Sequence, residues 1–297
     1  MAEVLTRCGY VGLVGRPNVG KSTLLNHLLG QKLSITSRRP QTTRHVLLGV
    51  DTRGPVQAIY VDTPGIHHHA RRQMNRNMVR SATSALLDVD LVVMLVEQDK
   101  WTEEDDLVLK HVRKTQVPKL VLINKIDLLQ NKTALLPALD RLDGFQCFEE
   151  MIPISALQGT GLNTVRELVF KTLPLNPHLF PADQVTDQSE RFLVAEIVRE
   201  KLMRRLGEEV PHRVAVEIEA FNEEPNIVDI AANIIVERSG QKRIIIGSKG
   251  EKLKSIGREA RLDIESLLER KVMLRLWVKV KPGWTNNENM LRRMGYD

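Results

Sequence analysis

Residues 15–22 read Gly15-Arg16-Pro17-Asn18-Val19-Gly20-Lys21-Ser22, between an apolar run from Tyr10 to Val14 and a helix-forming segment. A G-x-x-x-x-G-K-[ST] loop in that setting wraps backbone N–H groups around the phosphates of a nucleoside triphosphate. The glycines allow the close approach that a side chain would block. The following helix aims its dipole and unpaired amides at the same anion. Lys21 then reaches the β- and γ-phosphates, Ser22 offers its hydroxyl to Mg²⁺, and Thr23 completes the loop. Strand, phosphate loop and helix in succession restrict the chain to an α/β fold.

A chain of 297 residues has room for two domains. Two cysteines, Cys8 and Cys147, without C-x-x-C spacing, exclude a cysteine-built metal site and a disulfide framework, and fit a reducing cytoplasm. No apolar run approaches the length of a membrane-spanning helix, so no integral membrane segment is expected. The charge is unevenly placed. Residues 240–297 hold 14 of the 43 Lys and Arg but 7 of the 37 Asp and Glu. A basic end of this kind suggests a polyanionic partner, with a solvated basic face as the plain alternative.

Three more signals follow the phosphate loop in order. A β-patterned run from Val56 to Val61 ends in Asp62-Thr63-Pro64-Gly65. A carboxylate there is placed to hold Mg²⁺ through water, and Gly65 to offer its amide to a γ-phosphate. Asn124-Lys125-Ile126-Asp127 closes a second apolar strand, Lys119 to Ile123. The Asp127 carboxylate accepts from both N1–H and the 2-amino group of guanine, which adenine cannot satisfy. The Lys125 stem lies along the purine, and a backbone amide of Ser155-Ala156 donates to guanine O6. Apolar runs alternate with helical segments at Asn75–Leu87, Glu103–Lys114, about Lys132–Leu142 and Leu162–Leu173. That order predicts a mostly parallel sheet covered by helices on both faces, with the ligand at the strands' carboxyl ends.

From Leu173 to Gln188 the period is lost among Pro174, Pro177 and Pro181, so 173–189 reads as a linker between a nucleotide domain (1–172) and a smaller α+β domain (190–297). A helix from Glu190, strands near Val214–Glu219 and Ile227–Val236, and a further helix and strand surround Gly247-Ser248-Lys249-Gly250. A GxxG loop opening a helix, with Lys249, Lys252 and Lys254 around it, clamps the backbone of single-stranded nucleic acid. On propensity alone Ile244–Ile246 is a strand.

The four nucleotide motifs in order resemble those of the translation-factor-type GTPases. Together with the GxxG region, with Gln41-Thr42-Thr43-Arg44-His45, and with the tail Leu276 to Trp284, the chain resembles the Era family of bacterial GTPases over nearly its whole length. The resemblance implies a P-loop GTPase domain followed by a type II KH domain, with Ile244–Ile246 in a short helix. It implies a slow GTPase that binds single-stranded RNA near the 3′ end of small-subunit ribosomal RNA. That protein assists assembly of the 30S subunit and touches the inner face of the membrane from the cytoplasm. In such proteins a threonine of the first loop completes the Mg²⁺ shell, here Thr43 or Thr42, with Thr43 preferred. Asn18 stands where relatives hold K⁺. Ile66 follows Gly65, where many regulatory GTPases carry the glutamine that orients water, so basal turnover is expected to be slow. A rival reading makes the protein an RNA-binding scaffold with GTP as a structural ligand. His67-His68-His69 reads as loop surface rather than a metal site, because neighbours in a loop cannot all face one ion. Met74 and Met78 read as packing residues.

Overall fold

The computed structural model describes residues 5–37, 42–65, 74, 78, 83–84, 88–98, 100–206 and 214–293. The expected helix at Asn75–Leu87 falls largely outside them, as do Ile66 and the three histidines; Met74 and Met78 are buried.

The described chain forms two compact units. The first is a six-stranded sheet in the order β2-β3-β1-β4-β5-β6. Its strands are β1 (Arg7–Val14), β2 (Leu47–Arg53), β3 (Val56–Asp62), β4 (Leu91–Glu97), β5 (Lys119–Asn124) and β6 (Glu150–Pro153). Only the hairpin of β2 with β3 is antiparallel; the other pairings are parallel. Helices α1 (Lys21–Leu29), α2 (Glu103–Val112), α3 (Leu136–Asp143) and α4 (Leu162–Thr172) connect the strands. The buried runs explain the layering. Every residue of β4 is buried, as a strand covered on both faces requires. Gly30 ends α1 in the left-handed region, where the sequence places a stop.

Residues 173–187, read as linker, are tied to this first unit. Gln57 is fully buried in β3; its Oε1 accepts from the Leu179 and Phe180 amides at 2.9 and 3.0 Å, and its Nε2 donates to Phe180 O at 2.8 Å. The Val50 amide donates to Val185 O at 2.9 Å.

The second unit contains α5 (Glu190–Arg205), β7 (Val214–Glu223), β8 (Ile227–Val236), α6 (Ser239–Ile246), α7 (Glu251–Leu268) and β9 (Lys271–Val280), closed by α8 (Glu288–Arg293). Strands β7 and β8 are antiparallel, and β8 and β9 parallel. Ile197, Val198, Ile230, Ile234, Ile245, Ile256, Ile264 and Val278 share its core. Ile244–Ile246 is helical, against its β-branched propensity, because Ile245 reaches that core with no exposed surface. This unit also takes in the described residues 35–37 and 42. There the buried Glu200 accepts from the Thr36 amide at 2.9 Å.

Candidate functional site

β3 and β1 are neighbours in the sheet and β5 lies one strand further on, beyond β4; all are parallel, so their carboxyl ends share one side of the sheet, and hydrogen bonds join the loops leaving them around one candidate pocket. The loop after β1 needs its glycines for measurable reasons. A Cβ on Gly15 would lie 2.7 Å from the Leu95 carbonyl oxygen. One on Gly20, at φ +113°, would lie 2.2 Å from Asn124 Nδ2. Gly65, after β3, packs just as closely: its Cβ would meet the backbone nitrogen of Pro17 at 2.7 Å. Asn18 and Lys125 occupy the left-handed region at φ 62° and 67°. Both sit in loops that face the pocket, where strained backbone concentrates.

Lys21 is buried and donates to Gly15 O at 2.9 Å and Arg16 O at 3.1 Å. Burial lowers its pKa to about 8, an effect that Asp62 partly offsets. Two carbonyls are weak partners for an ammonium, so the lysine is set to take phosphate oxygens. Asp62 is fully buried at the end of β3, and its Oδ2 accepts from Ser22 Oγ and Ser34 Oγ, each at 2.8 Å. Ser22 Oγ lies 2.7 Å from Thr43 Oγ1. Asp62 Oδ1 is buried with no hydrogen-bond partner. Burial raises the pKa of Asp62, against the pull of Lys21 and the two hydroxyls. An orphaned carboxylate oxygen beside two hydroxyls is a hard-oxygen donor set, which fits Mg²⁺. Thr42, the other candidate, turns its Oγ1 toward Ser37 Oγ at 3.2 Å.

The loops expected to select the base, at residues 124–127 and 155–156, are joined to the loop of residues 15–22. Asn124 Nδ2 donates to Val19 O at 2.8 Å, and Asn124 Oδ1 accepts from the Ala156 amide at 2.9 Å. Ser155 Oγ donates to Asp127 Oδ1, which leaves Oδ2 of that carboxylate for a ligand. Of the Ser155-Ala156 amides, one of which is expected to point at guanine O6, that of Ala156 already donates to Asn124 and that of Ser155 to Thr160 O at 3.1 Å. Thr63 Oγ1 donates to Leu13 O at 2.9 Å, pinning β3 to β1.

Two contributors were not read from the sequence. Ser34 lies in the loop after α1, and only folding brings it to Asp62. Glu97 ends β4 and accepts from both Arg16 and Lys125. A charged residue closing an all-apolar strand was the one signal that could have drawn attention to it.

In the second unit, Gly247 (φ 72°) ends α6 and Gly250 (φ 80°) precedes α7. Between them Lys249 is left-handed at φ 48°. Ser248, Lys249, Lys252 and Lys254 are all exposed. The loop presents bare backbone and three ammonium groups to solvent, which suits a phosphodiester backbone.

Comparison with known proteins agrees with this division. Residues 10–125 match the family model described as 50S ribosome-binding GTPase, and residues 209–285 match that of the KH domain. GTPase Era of Ectopseudomonas mendocina (strain ymp) is 56% identical over 292 residues, covering 98% of each chain. GTPase Era of Pseudomonas aeruginosa is 56% identical over 291 residues, covering 98% of this chain and 95% of the relative. Two crystal structures superpose with TM-scores of 0.95 at 40% identity, each covering 98% of this chain and 99% of the other. One is a variant of Aquifex aeolicus Era bound to GDP·AlF4⁻; the other is Era in complex with MgGDPNP and nucleotides 1506–1542 of 16S ribosomal RNA. The P-loop sheet, the GxxG unit that follows it in the sequence and this identity over nearly the full length make the chain a member of the Era family of GTPases.

Proposed function

We propose that the chain is a GTP-hydrolysing switch that binds single-stranded RNA near the 3′ end of small-subunit ribosomal RNA and assists assembly of the 30S subunit. The observation that carries the nucleotide half is the group formed by Lys21, Ser22, Thr43 and Asp62. Lys21 and Asp62 are buried, Asp62 Oδ1 has no hydrogen-bond partner, and the part-buried hydroxyls of Ser22 and Thr43 lie together beside Asp62, a set that suits a Mg²⁺–triphosphate. Ser22 and Thr43 would hold the ion directly, and Asp62 through water. The ion would neutralise charge on the β- and γ-phosphates. The phosphates would be cradled by backbone amides of residues 15–23, and Gly65 would donate to the γ-phosphate. Asp127 would select guanine, Asn124 would brace it, and Lys125 would lie beneath it. Guanine O6 would share the Ala156 amide with Asn124, the Ser155 amide being taken by Thr160 O at 3.1 Å.

Hydrolysis would release what the γ-phosphate orders, namely residues 38–45 and 65–73, most of which lie outside the described residues. Asn18, at the mouth of the loop, is our candidate for holding K⁺ where charge develops between the β- and γ-phosphates. The RNA half rests on the GxxG loop with Lys249, Lys252 and Lys254, and on the relative solved with 16S ribosomal RNA. Among the described residues no helix is long and apolar enough to cross a membrane. We assign the protein to the cytoplasm with peripheral contact at the inner membrane, on the family resemblance.

Single-turnover hydrolysis, with and without 30S particles and in KCl against NaCl at matched ionic strength, tests this reading. Acceleration by 30S particles and by K⁺ is expected. Turnover that neither changes, with RNA binding indifferent to nucleotide, would favour the scaffold reading.

A further inference from the structure

We propose that Glu97 is a positioning residue of the nucleotide site, holding Lys125 in place for the base; the inference rests on the guanine-nucleotide reading above. Glu97 belongs to none of the nucleotide motifs. It is the last residue of β4 and only 8% exposed. Its Oε2 lies 3.1 Å from Lys125 Nζ and also takes the Arg16 guanidinium, while Oε1 meets Lys100 Nζ at 3.4 Å. One carboxylate therefore joins the phosphate loop to the base-selecting loop.

The arrangement is anchored from behind. Arg16 Nε lies 3.3 Å from Oδ2 of Asp105, which is fully buried. Asp105 is in turn fixed at the start of α2, accepting from Thr102 N and Thr102 Oγ1 at 2.9 Å each. Burial works to raise the pKa of Glu97, but the hydrogen bonds and charges of Lys125 and Arg16 hold it below its ordinary value. Glu97 is thus an anion at neutral pH. Without it, two cations would be left side by side.

Buried ion pairs seldom add net stability, because desolvating the charges offsets their attraction. What this one does supply is order. A free lysine side chain carries rotamer entropy that binding would otherwise have to remove. Glu97 removes part of it before the nucleotide arrives, which lowers the cost of binding. Base choice stays with Asp127, whose hydrogen bond goes to Ser155 and not to this group. Glu97 should therefore set how long the nucleotide stays and leave which base is accepted unchanged.

The test uses the full chain and a fluorescent GDP analogue, displaced by excess GDP in a stopped-flow instrument. Glu97→Gln keeps the side chain's size and removes its charge. Its dissociation rate should rise about tenfold, the scale of one lost charged hydrogen bond, with the GTP-over-XTP preference unchanged. In a Lys125→Gln background the same change should shift the rate several-fold less, since the Glu97–Lys125 contact is already gone and only those to Arg16 and Lys100 remain. An unaltered rate in the Glu97→Gln single variant, or an equal effect in both backgrounds, overturns the proposal. Should Glu97→Gln fail to fold, Glu97→Asp enters the same cycle: coupling to Lys125 supports the proposal and additivity overturns it. A wild-type chain that does not bind the analogue overturns the nucleotide reading itself, and this inference with it.

Discussion

Asn124 Nδ2 donates to the Val19 carbonyl across 2.8 Å, so the residue that opens the Asn124–Asp127 loop is bonded to the loop of residues 15–22. The two are 105 positions apart in the chain. With Asn124 Oδ1 taking the Ala156 amide, one side chain ties three loops together. Each loop leaves the carboxyl end of a strand or follows one. A nucleotide spanning the site would therefore meet a surface whose parts are fixed before it binds.

Gly20→Ala tests that bracing. The added Cβ would lie 2.2 Å from Asn124 Nδ2 at a backbone angle, φ +113°, that side chains rarely adopt. Asn124 would have to leave its bond to Val19. We expect a loss of about 1–3 kcal/mol in stability from overpacking and strain. A larger loss is expected in GDP affinity. A thermal melt and a fluorescent-GDP titration measure the two, and wild-type values in both would refute the bracing.

Asp127→Asn should move preference from guanine toward xanthine, whose 2-position carries an oxygen in place of the amino group. Sites built to pair a polar group discriminate by orders of magnitude when it is lost. Competition of GTP and XTP for the variant checks this. Unchanged GTP affinity with no gain for XTP would remove Asp127 from base selection.

Lys21 predicts a pH signature. Its pKa is lowered from 10.5 to about 8 in the folded chain. Between those values the unfolded chain holds more protons. The burial penalty is therefore fully present below about pH 8, and the free protein gains stability as pH rises toward 10.5. Phosphate beside the ammonium restores the higher pKa, so binding must take up a proton. At pH 8 that uptake should approach about half a proton per nucleotide from this group. Calorimetry in two buffers of different ionisation enthalpy at pH 8 reads it directly. Zero uptake would contradict a Lys21 that is partly neutral in the free protein and charged beside phosphate.

On the RNA side, Gly250 is the cleaner of the two loop glycines to change. A Cβ there meets nothing within 4 Å, although φ is +80°, whereas one on Gly247 would lie 2.7 Å from Lys252 Cβ. Gly250→Asp places a carboxylate against the expected phosphate path and should abolish binding of a short single-stranded RNA while leaving GTP binding intact. Lys254→Ala should instead weaken binding across sequences and reduce the log–log salt slope by about 0.7. Filter binding at several salt concentrations separates the two effects. A Gly250→Asp variant that binds RNA as the wild type does would refute the RNA assignment.

Much of the fold and the outline of the site were legible in the chain itself. The reason is that each signal was local. The phosphate loop, Asp62 to Gly65 and Asn124 to Asp127 each close a strand within a few residues, and the GxxG loop lies directly between two helices. Glycine placement, apolar periodicity and strand-end carboxylates are properties of neighbours in sequence, so they survive without coordinates. Ile244–Ile246 marks the limit: local propensity favours a strand, and only burial of Ile245 among α5, α7 and the sheet makes the helix. The partners of side chains were decided by tertiary structure alone. Ser34 reaches Asp62, Glu97 joins Arg16 to Lys125, and Gln57 holds residues 179 and 180 at the start of β3. Those pairings depend on which strand ends become neighbours in the order β2-β3-β1-β4-β5-β6, a consequence of how the whole chain packs that no local pattern encodes.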